Sequence, residues 1–360
     1  MKPALFLASA PTASNQASAR SVADLRARLA TLGARPLHTE HLLQQWLRGQ
    51  PFDPAWRGDP NFLPASVRAA LPAFADELAA LARVQGRYPG SEAERLLIGL
   101  ADGQTVESVL LPRGGLCVST QVGCAVGCTF CQTGRSGLLR QLGSAEIVAQ
   151  LALARRLRPV RKLVFMGMGE PAHNLEAVLE AIETLGTTGG LAREQLVFST
   201  VGDRRAFERL RTVRVKPSLA LSLHTTRPAL RRELLPRAAR IDPDELVALA
   251  CATAVSSGFP LLVQWTLLDG INDDEEEVIG LAALLAGQHA IVQAIPWNAI
   301  EDTVFRRPPI ERAVAFVRGL KARGVRATLR WSAAQELEAG CGQLRARRGA
   351  QGLDDPVALG

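Results

Sequence analysis

The sequence predicts an α/β protein whose larger part consists of strand–helix units repeated around a parallel sheet. From residue 116 onward, short apolar runs alternate with longer runs of helical periodicity. Repeated units of this kind place parallel strands inside and helices outside, and six or seven of them suit a partial or a complete barrel. We therefore expect a partial (β/α)6-type barrel, preceded by a small helical domain and a β-hairpin.

The N-terminal region, 1–93, has a different pattern and is predicted to form a helical accessory domain. Its periodicity is amphipathic and interrupted by prolines; TEHLLQQWLRG, for example, places Leu42, Trp46 and Leu47 on one side of a helix. The next segment, RLLIGLADGQTVESVLLP, alternates around Asp102 and Gly103, which predicts a β-hairpin. This hairpin opens the core domain, 94–345, and a tail covers 346–360.

The elements of the barrel follow from the same periodicity. Strands are predicted at LCVST, KLVFMGMG, QLVFSTVG, SLALSLH, LLVQWTLL, AIVQAIPWN and RATLRW, and helices at SAEIVAQLALARRL, LEAVLEAIETLG, PDELVALACATAV, EEVIGLAALLAG and ERAVAFVRGLKARG. In such a barrel the chemistry gathers at the C-terminal ends of the strands. The residues found there include Gly169-Glu170, Ser199, Ser222, His224 and Asn298, so we expect the functional site at this end.

The composition favours a cytoplasmic protein that binds a polyanion. No apolar run reaches the roughly 18 residues of a membrane span, and MKPALFLASAPTASNQASA makes a poor signal peptide. The net charge is +7, and residues 201–240 carry 11 basic and 3 acidic side chains while 301–350 carry 11 and 5. Between them, 241–300 carries 9 acidic side chains and no lysine or arginine. This segregation indicates a nucleic-acid-binding face, although solvated helix faces would give the same counts.

Three cysteines form the motif C-x3-C-x2-C within GCAVGCTFCQTG: Cys124, Cys128 and Cys131. Thiolates this close select zinc or an iron–sulfur cluster. A structural zinc ion would need a fourth ligand, such as Cys117 or Cys341. A cubane cluster held by three cysteines instead leaves one iron open for a substrate. The motif follows the first barrel strand, where an active-site loop belongs.

This motif and its neighbours resemble a known family. A C-x3-C-x2-C loop after the first strand of the barrel is similar to that of radical S-adenosylmethionine (SAM) enzymes, in which SAM chelates the open iron. Over about 100–345, the combination CVSTQVGCAVGCTFCQTG, FMGMGEP, FSTVG, ALSLH, LLDGIND, IPWN and GCGQL resembles the RlmN/Cfr family of radical SAM RNA adenine methyltransferases. More weakly, RPLHTEHLLQQWL and FLPASVRAAL resemble that family's helical, RNA-binding domain. The resemblance implies a 4Fe-4S cluster and SAM as cofactors and RNA as substrate.

The resemblance also implies a role for each site residue. Cys341 receives a methyl group, from which a 5′-deoxyadenosyl radical removes hydrogen, and the resulting carbon radical adds to the base. Cys117 then attacks the thioether and forms a disulfide with Cys341, which releases the RNA. Glu107 corresponds to a proposed proton acceptor. The positions that bind SAM are Gly169, Glu170, Ser199, Ser222, Leu223, His224 and Asn298.

The chain departs from the family pattern in the segment before Cys341 and in two other motifs. Ala334, Glu336 and Gly340 stand where a glycine, an aspartate and an alanine are usual, and LLPRAARID carries Arg237 where a Met-Pro-x-Asn-like element is expected. IPWNAIEDTVFRRP also lacks the usual proline after its asparagine. Because every cysteine is kept, we expect an active but divergent RlmN-like paralogue.

The motifs GMGEP and IPWN favour methylation of carbon 2 of an adenosine in 23S rRNA, and sometimes in tRNA. Methylation of carbon 8, as in the Cfr branch, is an alternative, as is a radical SAM reaction on another substrate. A zinc-stabilised RNA-binding protein without catalysis is a third. We expect a monomer without membrane contact that takes electrons from a donor such as flavodoxin or ferredoxin.

Overall fold

The N-terminal region folds into three helices that pack onto the core. The computed structural model describes residues 20–56, 58–135, 137–333 and 335–346, so the segment that could resemble a signal peptide, Ala334 and most of the tail lie outside it. The helices are α1 (Val22–Thr31), α2 (Pro36–Leu47) and α3 (Ala65–Leu81). As predicted, α2 buries Leu42, Trp46 and Leu47.

Three antiparallel strands follow, one more than the predicted hairpin. They are β1 (Ala82–Pro89), β2 (Glu94–Leu100) and β3 (Thr105–Leu111), and β2 pairs with both neighbours. The hairpin of β2 and β3 is confirmed. The helical prediction for 1–93 is wrong at β1, where exposed residues alternate with Ala82 and half-buried residues to form an amphipathic strand.

The core alternates strands and helices as the sequence predicts. The further elements are β4 (Gly115–Cys117), β5 (Gln121–Gly123), α4 (Gln132–Arg135), β6 (Leu138–Gln141), α5 (Ser144–Leu157), β7 (Lys162–Phe165), α6 (Leu175–Gly186), β8 (Leu196–Thr200), α7 (Arg204–Thr212), β9 (Ser218–Ser222), α8 (Pro228–Leu234), α9 (Pro243–Ser257), β10 (Leu261–Leu267), α10 (Glu275–Leu284), β11 (Ala290–Pro296), α11 (Ile310–Ala322) and β12 (Ala327–Leu329). A ten-stranded sheet runs in the order β1-β2-β3-β4-β7-β8-β9-β10-β11-β12, parallel from β4 onward, and β5 pairs with β6 in a separate two-stranded sheet.

The sheet is a partial barrel, as predicted. In the described ranges β1 and β12 are its two edges, and no ladder joins them. A short turn after β12, Gln335–Leu337, approaches the loop between β1 and β2 instead: the carboxylate of Glu336 accepts a hydrogen bond from the backbone N–H of Ser91 at 3.2 Å. Glu336, which stands where an aspartate is usual in the family, therefore links the turn after β12 to the β1–β2 loop at the other edge of the sheet.

The hydrophobic core lies between the sheet and its helices, with Phe165, Phe198 and Trp265 among the largest fully buried side chains. Buried Gln150 on α5 links three elements, because it accepts hydrogen bonds from the Ser108 hydroxyl and the Ser119 N–H and donates to the Ser119 carbonyl. No helix in the described part of the chain has the length and apolarity needed to cross a bilayer.

Candidate active site

The loop of the C-x3-C-x2-C motif lies over the C-terminal ends of the parallel strands. Cys124, Cys128 and Cys131 line one cavity there. The N–H of Cys124 donates to the Gly137 carbonyl at 2.9 Å, and the indole N–H of Trp297, just past β11, donates to the Phe130 carbonyl at 3.0 Å. Bonds to both the β5–β6 hairpin and β11 therefore fix the loop.

The donor set of this loop suits an iron–sulfur cluster. Burial raises the pKa of the Cys124 thiol to about 12, and burial likewise raises the pKa values of Cys128 and Cys131. The N–H groups of Val126 and Gly127 donate to the Cys124 sulfur, as is common around thiolates that bind metal. In the described ranges no three His, Cys, Asp or Glu side chains are arranged to hold one metal ion. The residues fit an iron–sulfur cluster because three cysteine sulfurs, which are soft donors, line one cavity.

Gly169 and Glu170 follow β7 and line the same cavity. Gly169 has φ +105°, and a Cβ there would lie 2.7 Å from Cβ of Gln121, so the turn requires glycine. The buried carboxylate of Glu170 accepts hydrogen bonds from the N–H groups of Ala172 and Val201, both at 3.0 Å. Burial raises the pKa of Glu170, while these bonds oppose the shift and fix the orientation of the carboxylate.

Ser199, Ser222 and His224 line the cavity from β8, β9 and the turn after β9. Nδ1 of His224 accepts a hydrogen bond from the N–H of Thr266 at 3.0 Å, which leaves the proton on Nε2. Burial, and secondarily the charge of Arg231, lower the pKa of His224 to about 3, so the imidazole is neutral. It can offer one N–H donor to a ligand.

Leu223 and Asn298 are placed differently from the other predicted SAM-binding residues. The side chain of Leu223 is packed in the core, and its carbonyl accepts from buried Arg231. The amide of Asn298 donates to the Ser332 hydroxyl at 2.9 Å and to the Cys341 carbonyl at 3.0 Å. Neither residue lines the cavity in the described structure; Asn298 holds the Cys341 segment instead.

The segment that carries Cys341 closes over the cluster loop. Cys341 is exposed and lines the cavity with Gly342, whose carbonyl accepts from the N–H of Gln132 at 2.7 Å. A Cβ at Gly340 would lie 2.8 Å from Nδ2 of Asn298 and 2.9 Å from Oε1 of Gln343, so alanine here would displace these side-chain amides. The change from alanine to glycine at 340 thus permits a tight approach to Asn298.

Cys117 ends β4 and is buried beneath the cavity. Its pKa rises to about 12, chiefly because of burial and further because of nearby Cys341, so the two sulfurs interact electrostatically. All six cysteines are free thiols, and the disulfide that the resemblance implies between Cys117 and Cys341 stays a prediction. Glu107 is fully buried in β3: its carboxylate accepts from the Arg95 guanidinium at 3.2 Å and from the Arg345 N–H at 2.9 Å.

The charge segregation seen along the chain is partly cancelled in the fold. Arg204 pairs with Glu245, and Arg227 pairs with Glu277 at 3.0 Å, so arginines of 201–240 meet carboxylates of 241–300. A smaller group of arginines, exposed and without an ion pair in the described structure, remains in the last turn of α8 and just after it: Arg232, Arg237 and Arg240. The backbone N–H of Arg237 donates to the carbonyl of Val126 in the cluster loop, so this basic group borders the site.

Among the cavity residues that the motifs do not predict are Gln264 and Thr266 on β10. They alternate with buried Val263 and Trp265, which face the core. Polar residues at every second position of the otherwise apolar run VQWTL would have predicted a strand with one face on the site.

Residues 118–282 match the model of the radical SAM superfamily. The chain is 59% identical to a "Probable RNA methyltransferase" of Aromatoleum aromaticum over 90% of its own length and 91% of the relative's. It is 58% identical to a protein of the same name from Pseudomonas aeruginosa, over 90% and 94%. A radical SAM methyltransferase from Sphaerobacter thermophilus has a similar structure, with a TM-score of 0.79 and 33% identity over 90% of this chain and 97% of that one.

These matches confirm the resemblance on which the cofactors were predicted. The superfamily model covers the cluster motif and the strand ends from β7 to β10, and the relatives extend the match over nearly the whole chain. A 4Fe-4S cluster and SAM are the cofactors of this superfamily, and the donor set described above fits them. The chain therefore belongs to the radical SAM superfamily and, within it, to a family of RNA methyltransferases.

Proposed function

We propose that this protein methylates carbon 2 of an adenosine in 23S rRNA, and also in tRNA, by way of an S-methylcysteine at Cys341. The observation that carries the proposal is the position of Cys341. Its exposed thiol lines the same cavity as Cys124, Cys128 and Cys131, although it lies 210 residues beyond the last of them. A cysteine with only a structural role has no need to be exposed at this point.

The cavity residues have distinct tasks in this proposal. Cys124, Cys128 and Cys131 hold the cluster, which together with SAM supplies the methyl group and the one-electron chemistry when bound. The fixed carboxylate of Glu170 suits the ammonium group of SAM, since its orientation is set by two backbone donors. The N–H of His224 serves as a neutral donor in the same cavity.

Cys341 and Cys117 differ in a way that suits two successive roles. Cys341 is exposed and can carry a methyl group to the base. The Cys117 thiol is buried and its pKa is raised, which keeps it protonated and unreactive until the intermediate forms. In this step the Cys117 thiol gives up its proton and its sulfur attacks the Cys341 sulfur. The thioether C–S bond breaks, the disulfide forms, and the carbon keeps the electron pair and takes up a proton.

Glu107 remains our candidate for the residue that accepts a proton during the methylation reaction. Its carboxylate bonds the backbone of Arg345, four residues after Cys341, so a movement of the Cys341 segment uncovers this carboxylate. The carboxylate also accepts a hydrogen bond from the Arg95 guanidinium, which helps to fix its position.

The proposal also implies partners and a compartment. An electron must reach the cluster from a carrier such as flavodoxin or ferredoxin, and RNA as substrate implies the cytoplasm. The exposed arginines 232, 237 and 240 are placed to contact RNA phosphates beside the cavity. We propose that the enzyme acts as a monomer.

The direct test is to digest RNA from a wild-type and a deletion strain and to measure methyladenosines by mass spectrometry. We expect 2-methyladenosine to disappear from 23S rRNA in the deletion strain and to return with the wild-type gene. Loss of 8-methyladenosine instead would reassign the carbon. An unchanged set of methyladenosines would refute RNA methylation by this protein.

A Cys117→Ala variant tests the covalent route. Without Cys117 the thioether between Cys341 and the RNA is not resolved, so the variant should accumulate as a protein–RNA adduct visible on a denaturing gel. Cys251→Ala is the matched control, because Cys251 is a buried thiol on α9 outside the cavity. Release of free methylated RNA by Cys117→Ala would contradict this route.

A further inference from the structure

Trp331 stands apart from the other aromatic side chains of the described chain. It is 50% exposed, and it is the one aromatic residue among the exposed large hydrophobic side chains. Of the other tryptophans, Trp46, Trp265 and Trp297 are buried. Trp56 is half-buried and packs on the ring of Phe62 with a centroid separation of 4.7 Å. An indole this open has a face that a ligand can pack against.

The position of Trp331 connects it to the reactive cysteine. It lies two residues after β12 and directly before Ser332. The Ser332 hydroxyl accepts from the Asn298 amide at 2.9 Å and from the N–H of Cys341 at 3.4 Å. Trp331 is therefore the sequence neighbour of a residue that contacts the backbone of Cys341.

Arg307 gives the indole a cationic neighbour. Its guanidinium carbon lies 5.9 Å from the centre of the Trp331 ring, within the range of a cation–π contact. Three hydrogen bonds fix this guanidinium: it donates to the Trp297 carbonyl at 2.7 Å, to Oδ1 of Asn298 at 3.0 Å and to Oε1 of Gln335 at 2.8 Å. An aromatic ring beside a fixed cation is the combination with which proteins bind unstacked bases and the attached phosphates.

We propose that Trp331 is a stacking platform for a nucleobase next to the target adenosine, with Arg307 as the cation beside it. This inference rests on the proposed function, because it takes RNA as the substrate, and it adds where the RNA strand runs past Cys341. The ligand is an unpaired base, since bases in a helix already stack on one another and have no free face. A docking site for a protein electron donor is the competing explanation. The single cation held against one aromatic face fits a base with its phosphate, and docking of an electron donor is kept as an outcome of the test.

The test measures RNA binding by the reconstituted full-length protein, with a fluorescent RNA hairpin that has an unpaired adenosine in its loop. Trp331→Ala should raise Kd about 5- to 160-fold, because one stacked base contributes about 1–3 kcal/mol. Trp331→Tyr should regain most of the affinity, since it keeps an aromatic face. Stacking involves no counterion release, so the slope of log K against log salt should stay that of the wild type.

Arg237→Ala serves as the matched control. It removes an exposed charge near the same cavity, so it should weaken binding and make the salt slope shallower by about 0.7. Three results would overturn the platform: a Kd of Trp331→Ala within about twofold of the wild type, a tyrosine variant no tighter than the alanine variant, or a salt slope altered as in Arg237→Ala.

The results distinguish a failure of the Trp331 platform from a failure of the proposed function. If the wild type binds the hairpin through Trp331 but produces no methyladenosine, the reaction is wrong and the platform stands. If Trp331→Ala binds and methylates RNA as the wild type does, the platform alone is refuted. Unchanged RNA affinity with slower reduction of the variant by flavodoxin would also refute it, in favour of a protein docking site.

Discussion

Backbone hydrogen bonds and burial together fix the conformation and the charge of His224. Its φ of 64° is unusual for a residue other than glycine. The turn is held by the Asn272 amide, which donates to the His224 carbonyl at 2.7 Å, and by the Thr266 N–H, which donates to the ring. The ring also meets Phe130 of the cluster loop edge-on, at a centroid distance of 5.0 Å. The result is a neutral imidazole with one defined tautomer.

This neutral imidazole should make stability depend on pH. The pKa of His224 is about 3 in the folded chain against 6.5 as its ordinary value, so below pH 6.5 the unfolded chain binds a proton that the folded chain does not. The free energy of unfolding should therefore fall as the pH drops from 6.5, and His224→Asn, which tolerates the positive φ, should reduce this fall. Denaturant titrations at several pH values measure it.

Exposed His289 supplies the control for this experiment, because its removal as His289→Gln should leave the pH profile of the wild type unchanged. An equal pH dependence in His224→Asn and the wild type would show that the histidine is charged or accessible in the folded state, contrary to the geometry described here.

Asn298 is a second residue with a defined task, and its role can be separated from cofactor binding. Asn298→Ala removes the donors to Ser332 and Cys341, so the free energy of unfolding should fall by about 1–3 kcal/mol and iodoacetamide should alkylate Cys341 faster. Ser332→Ala keeps the bond to the Cys341 carbonyl and should have the smaller effect. A loss of SAM affinity with an unchanged alkylation rate would instead support the predicted role in SAM binding.

At the scale of elements, the small sheet of β5 and β6 decides the shape of the cluster loop. The loop leaves β5 at Gly123, immediately before Cys124, and β6 follows a few residues after Cys131. Gly123 has φ +80°, and a Cβ at this position would lie 2.0 Å from the Gly137 carbonyl oxygen. The same carbonyl accepts from the N–H of Cys124, so the close approach also anchors the first ligand.

Gly123→Ala should therefore displace the loop and lower the iron content of the reconstituted protein several-fold. Gly137→Ala is a matched control: Gly137 also has a positive φ, of 68°, but a Cβ there meets no atom within 4 Å. The Gly137→Ala variant has the backbone strain of a positive φ but no steric clash. Its free energy of unfolding should fall by about 1 kcal/mol, and it should keep most of the iron. Equal iron contents in the two variants would mean that the close contact with Gly137 is unimportant.

Periodicity predicted those elements that are long or strongly apolar, and it failed for short or charged ones. The helices α5, α6, α9, α10 and α11 and the seven parallel strands lie where their patterns place them. By contrast, α7 was missed because RRAFERLRT buries only Ala206, Phe207 and Leu210. The sheet of β5 and β6 was missed since exposed residues on β6 give it no apolar pattern.

At the scale of the whole molecule, distant segments complete the site. The cluster loop, the ends of β7 to β11 and the segment of Cys341 meet around one cavity. Motif position predicted most of these residues, because strand ends in a parallel sheet share an edge. The bonds of Asn298 to the Cys341 segment, and the pairing of Arg227 with Glu277, depend on side-chain packing between segments far apart in sequence, so no local pattern predicts them.

The central claim is that the methyl group reaches RNA through a carbon bound to Cys341. The most direct measurement is the deuterium content of methyladenosine formed with SAM that carries a trideuterated methyl group. One deuterium leaves when hydrogen is removed from the S-methyl group, and a proton fills the vacant position after Cys117 resolves the adduct. We predict a product methyl with two deuterium atoms. A methyl with all three would show direct transfer from SAM and would contradict the account.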